Sequence, residues 1–147
     1  MTGEKDSSIL YVDREDYEAL QADLAKWAEV KGEPIPPFEL AKKGKLDALV
    51  NAPRRSFFGH VAYATLEEKA AIIFYTINKD QIFLNGNKRM STLSLNVFLR
   101  INGRQLDITS DDLTKKALWL ANTASVDFQE IKNELVRWIR EHVRDAA

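Results

Sequence analysis

Two helical runs, each too apolar to leave a broad face in water, constrain this chain most. Thr65-Leu66-Glu67-Glu68 opens the first. Thr65 stands at the cap position with Glu68 three residues on, a pairing that satisfies two orphan amides at a helix start. Leu66, Ala70, Ile73, Phe74 and Ile77 then share one face, and Ala71, Ile72 and Tyr75 widen the arc. A helix apolar nearly all round has to be covered on every side. The second run spans about 87–102. Met90, Leu93, Val97 and Ile101 recur as a stripe, Leu95, Phe98 and Leu99 broaden it, and Asn102-Gly103 supplies a stop. Adjacent helices of this kind belong at the centre of an α-helical bundle. The turn joining them then sits on a rigid support, as a binding site requires.

That turn is Gln81-Ile82-Phe83-Leu84-Asn85-Gly86-Asn87-Lys88-Arg89. Phe83 reads as a plug anchoring it in the core. The second half suits a phosphate, because a helix N-terminus offers unpaired amides and the positive end of the dipole. Gly86 allows a backbone conformation closed to other residues, and Asn87 is a candidate cap. Arg89 offers a forked grip on phosphate oxygens and Lys88 a point charge. The plainer alternative is an ordinary helix–turn–helix corner, since Asn-Gly is a common turn pair. The P-loop and dinucleotide-binding glycine patterns are both missing.

The remaining elements are shorter. Ser8–Val12 is an apolar run too short to assign, and the polar residues before it are expected to fray. Asp13-Arg14-Glu15-Asp16 starts a helix of about five turns, with Tyr17, Leu20, Leu24 and Trp27 as its core stripe and Gly32 as its end. Glu33-Pro34-Ile35-Pro36-Pro37 is a stiff connector. One or two helical pieces follow between Phe38 and Val50, broken at Gly44. Arg54–His60 is a loop with two cations, two aromatics and a histidine. Phe57 and Phe58 are candidates for a flap that stacks on a base or docks a target; the alternative is a pair of core plugs. Arg104–Ile108 reads as a short extended link. Thr109 and Asp127 each begin a further helix, Trp119 falls off the apolar stripe of the first, and the last ends in a charged, frayed tail.

The expected architecture is therefore all-α, a compact bundle of about five to seven helices in a single domain spanning 1–147. The charges nearly cancel, 21 basic against 22 acidic, so no attraction to nucleic acid is implied. The absence of cysteine excludes disulfides, thiolate metal sites and cysteine nucleophiles. No apolar run reaches the ~18 residues of a membrane span, and the charged start lacks a signal-peptide core. A cytoplasmic location, with no membrane partner, is the expectation.

The central stretch resembles the signature loop of the Fic/Doc family, His-x-Phe-x-Asp/Glu-Gly-Asn-Gly/Lys-Arg. Phe57-Phe58-Gly59, Tyr63–Ala71 and Phe98-Leu99-Arg100-Ile101-Asn102-Gly103 resemble the segments around it, so the likeness covers about residues 45–140. Lys88, where adenylyl-transferring members carry Gly, places the chain nearer the Doc (death-on-curing) branch. The resemblance implies the family's compact helical fold and a site for ATP or a related nucleotide. By position, Gly86 would offer backbone amides, and Asn87, Lys88 and Arg89 would hold phosphates. The implied reaction is transfer of a phosphoryl or adenylyl group to a protein hydroxyl. Elongation factor Tu is the implied target, and a Phd-like antitoxin the implied partner of a toxin–antitoxin pair.

Two departures remove the chemistry's usual tools. The family's catalytic histidine falls at Gln81, which has no titratable group and cannot be a general base. Its acidic magnesium ligand falls at Asn85, a neutral donor for a hard cation that prefers carboxylate. Three readings follow: a nucleotide-binding pseudoenzyme, weakened or inactive; an active transferase using Asp80 or His60 as a substitute base; and a non-catalytic scaffold for a partner protein.

Overall fold

The computed structural model describes residues 8–35, 43–124 and 127–146. Among them are six α-helices: α1 (Arg14–Val30), α2 (Lys43–Asn51), α3 (Leu66–Asp80), α4 (Asn87–Ile101), α5 (Ser110–Ala121) and α6 (Phe128–His142). A 3₁₀ turn, Ala52–Arg54, follows α2. Two small antiparallel ladders complete the fold. β1 (Ser56–Phe57) pairs with β2 (His60–Val61), with Ser56 opposite Val61. β3 (Arg104–Leu106) pairs with β4 (Val143–Asp145), with Gln105 opposite Arg144. The architecture is the expected all-α bundle, and no described helix is long and apolar enough to cross a membrane.

α3 is the axis. Thr65 caps it by accepting from the Glu68 amide at 3.1 Å, and Glu68 reaches back to the Thr65 amide at 3.3 Å. Lys69–Phe74 and Thr76–Asn78 are buried, so nearly every side of the helix is covered. α4, α5, α6, α2 and the 3₁₀ turn all pack on it, and Phe74 meets Trp138 of α6 with ring centroids 6.0 Å apart. Even the cation of the buried Lys69 is used, donating to the Pro53 carbonyl at 3.0 Å.

Four expectations change. In α4 the buried face is Met90, Ser91, Ser94, Leu95, Phe98 and Leu99, whereas Leu93 and Ile101 are 37% and 39% exposed. Hydropathy passes over serine, yet Ser91 is buried at little cost because its hydroxyl donates to the Lys88 carbonyl at 2.7 Å. In α1 the buried set is Tyr17, Gln21, Leu24 and Ala28, and Trp27 is left 43% exposed. Gly44 does not break a helix; it lies in the first turn of α2. The charged tail is no simple fray either, since Val143 is buried and its neighbours pair with β3. The expectations for residues 1–7 and 36–42 lie outside the described residues.

Candidate functional site

α3 ends at Gln81, which takes a left-handed conformation (φ 47°, ψ 62°). That region costs an L-residue about 1–2 kcal/mol, and glycine normally occupies it. The strained turn swings the chain back towards the bundle, where Ile82 and Phe83 are 1% and 3% exposed. The two apolar anchors hold the front of the loop, and Phe83 is the plug that the sequence suggested.

The back of the loop is held by Asn87. Its Oδ1 accepts from the Phe83 amide at 3.0 Å and its Nδ2 donates to the Phe83 carbonyl at 2.8 Å. Asn87 is therefore not the cap of α4 but its first residue. The cap position is Gly86, left-handed at φ 77°, and no side chain caps the helix. The Gly86 amide donates to Asn85 Oδ1 at 2.9 Å, which turns that side chain onto the loop's own backbone. Lys88 and Arg89 stand exposed in the first turn of α4, which holds no acid.

Among the described residues, two cavities are lined by the Asn85–Lys88 stretch of this loop. One, of about 320 Å³, is lined by Asn85–Arg89 and, across from them, by Leu24, Ala28 and Glu33 among others. The other, of about 330 Å³, lies towards the end of α5 and shares Asn85–Lys88 while adding Asn78, Gln81 and Ala121. Arg89 does not hang free in the first. Its guanidinium carbon lies 4.0 Å from the Trp27 ring centroid, and its Nη2 is 3.8 Å from Glu33 Oε2. The first cavity suits a phosphate: amides at an uncapped helix start, two cations and a glycine at positive φ converge there. It does not suit magnesium, because Asn85 is neutral and the one acid among its described lining residues, Glu33, faces Arg89.

The remaining candidates are not gathered at the loop. Asp80 is exposed, lines neither cavity, and offers its carbonyl to Lys45 Nζ at 2.6 Å. His60 is exposed in β2 and likewise lines neither. The β1–β2 hairpin turns through Phe58 (φ 51°) and Gly59 (φ 80°), the left-handed pair that matches the natural twist of a two-residue hairpin. Phe58 is wholly exposed at its tip, so it is no core plug. Phe57 is placed here by its backbone, opposite His60.

Trp27, Glu33 and Asn78 drew no attention in the sequence as site residues. The first two lie more than fifty residues upstream of Arg89 and belong to no local pattern. Asn78 sits on a buried helix face where an asparagine is unusual, and that anomaly was a usable signal.

The sequence matches the family model described as Fic/DOC family over residues 11–99. It is 31% identical over 126 residues to a protein named Toxin Doc from Mycolicibacterium smegmatis (strain ATCC 700084 / mc(2)155). That alignment covers 85% of this chain and 90% of the relative.

Proposed function

Since this chain belongs to the Fic/DOC family, we propose that it is a Doc-like member of toxin–antitoxin type whose motif loop holds a nucleotide phosphate but transfers little or none of it. The observation that carries this reading is the split within one loop. Gly86, Lys88 and Arg89 present amides and cations at the start of α4. Gln81 and Asn85, at the family's base and metal positions, supply neither a proton acceptor of useful basicity nor a carboxylate.

The loop's part in binding follows from its own residues. Asn87 clamps the backbone at Phe83 and so fixes the direction of the α4 amides. Lys88 neutralises phosphate charge, and Arg89 grips two oxygens once drawn away from Glu33. Phosphoryl transfer relies on such positioning and charge stabilisation. With no base to take the hydroxyl proton, however, the rate falls by about 10²–10⁴-fold. ATP or a related nucleotide is the ligand, a protein hydroxyl such as one on elongation factor Tu the substrate to test, and a Phd-like antitoxin the partner to seek. Asp80 and His60, lining neither cavity, are poorly placed as substitute bases.

The test is label transfer in a host lysate with γ-labelled and α-labelled ATP in parallel, alongside thermal stabilisation by ATP. The expected outcome is stabilisation that Arg89→Ala removes, no labelled band, and a γ-labelled band after Gln81→His with Asn85→Asp. A band from the unmodified protein that Asp80→Asn or His60→Ala abolishes would establish the active-enzyme reading instead.

A further inference from the structure

We propose that Asn85 is a site of spontaneous deamidation, at which the Gly86 amide closes on the Asn85 side chain and the motif loop gains a carboxylate at the family's metal position. The chemical step stands on the loop's geometry alone. Its consequence for binding rests on the nucleotide reading above.

The starting observation is a contrast between two identical dipeptides. Asn85 and Asn102 are the asparagines that glycine follows. Glycine matters because it sets no side chain beside the amide that must attack. At Asn102 the reaction is blocked twice. Its Oδ1 accepts from the Leu10 amide at 2.9 Å, and its Nδ2 donates to the Leu10 and Phe98 carbonyls at 2.9 and 2.8 Å, so the side chain is tied to partners other than Gly103. The Gly103 amide meanwhile donates to the Arg100 carbonyl at 3.0 Å. At Asn85 both restraints are missing. The residue is exposed, and its Oδ1 lies 2.9 Å from the Gly86 nitrogen. The carbon to be attacked, Cγ, is one carbonyl bond from that oxygen, about 1.2 Å. The side chain is thus already folded onto its nucleophile. Its Nδ2, the leaving group, makes no hydrogen bond among the described residues.

Electrostatics favours the same step. A peptide nitrogen attacks only after losing its proton, and positive charge stabilises the anion that forms. Gly86 stands at the cap of α4, whose first turn holds no acid, and Lys88 and Arg89 follow at once. The Gly86 nitrogen bonds to Cγ, the Cγ–Nδ2 bond breaks, and Nδ2 takes a proton from solvent and departs as ammonia. The product is a five-membered succinimide. Water then adds at either ring carbonyl. Opening at Cγ gives aspartate on the original backbone; opening at the main-chain carbonyl gives isoaspartate. In sum one water is consumed and one ammonia released, with no change of oxidation state. Either product carries a new negative charge, which the helix start and the two cations stabilise. The aspartate form supplies the carboxylate that a hard cation prefers, where Asn85 offers a neutral oxygen.

The test is to age the intact protein at mildly acidic and mildly alkaline pH, then map its peptides by mass spectrometry and measure released ammonia. The carboxamide-to-acid mass gain is expected at Asn85 at least about tenfold faster than at Asn102, and faster at the higher pH. Asn85→Gln, which would have to close a less favourable six-membered ring, should lose it. No conversion at Asn85, or conversion at Asn102 as fast or faster, would overturn the proposal. Enzymatic methylation of isoaspartate separates the two products, and isoaspartate alone would overturn the gain of the family's acidic residue. Calorimetry with ATP then compares fresh and aged protein with and without magnesium. Magnesium should strengthen ATP binding about tenfold more in the aged protein than in the fresh, and Asn85→Asp should behave as aged from the start. Conversion without that gain would overturn the consequence for the site. Failure of every form to bind ATP would overturn the nucleotide reading, while the mass record still decides the modification.

Discussion

At the scale of single residues, the loop stores strain at one point and charge at another. Gln81 holds a left-handed backbone for which it has no intrinsic preference. Gln81→Gly should therefore stabilise the fold by about 1 kcal/mol, read as a higher urea midpoint at unchanged slope. An unchanged or lower midpoint would mean that the glutamine side chain returns more than its backbone costs. Arg89 is a different case, held between a ring and a carboxylate. Both members of the Arg89–Glu33 pair are substantially exposed, so the contact adds little to stability. Its effect should appear in binding, where Glu33 competes with an incoming phosphate. Glu33→Ala is expected to tighten ATP binding about threefold at low ionic strength, and the gain should shrink in high salt. Calorimetry at two salt concentrations checks both parts.

At the scale of elements, polar ties decide how the outer helices sit on α3. Glu134 of α6 receives Lys116 of α5 at 2.7 Å and Arg137 of its own helix at 2.6 Å. The Arg137 bonds, followed by those of Lys116, hold its carboxyl down to about 2, well below the ordinary 4.5. A depressed acid contributes stability that is complete above its unfolded value and is lost as pH falls through the folded one. The contribution should therefore fade between about pH 4.5 and pH 2. In Glu134→Gln the melting temperature should lie below that of the parent near neutrality, with the gap closing across that window. A gap independent of pH would remove the carboxylate from the account. The helices themselves were largely legible in the sequence, because their caps are local: Thr65 and Thr109 each accept from an amide three residues on. Which face went inward was less legible. Ser91, Ser94 and Gln21 are buried where hydropathy favoured Leu93, Ile101 and Trp27, since packing selects by size as well as by polarity.

At the scale of the whole molecule, one corner gathers segments distant in the chain. Asn102, just past α4, accepts from the Leu10 amide and donates to the Leu10 and Phe98 carbonyls, at 2.8–2.9 Å. One residue on, the Gly103 carbonyl takes the Ala146 amide at 2.9 Å, and β3 pairs with β4. Asn102→Ala should cost about 1–2 kcal/mol and speed proteolysis around Leu10, and limited digestion measures the second effect directly. None of this long-range closure could be read from local pattern, because Asn102 looked only like a helix stop and the residues after the last helix only like a charged tail. The loop's sequence order was plain by contrast, whereas the contacts of Trp27 and Glu33 with Arg89 emerged only once α1 and the segment after it were placed beside the loop. The burial of α3 carries a consequence for how the protein is made. A growing chain exposes this helix on the ribosome long before α6 emerges to cover it with Trp138. Its holder is incomplete until more than forty residues beyond the loop have been synthesised. Unfinished chains should then be rich in sticky surface, and the motif loop should lack its rigid support until nearly all of the fold has been translated.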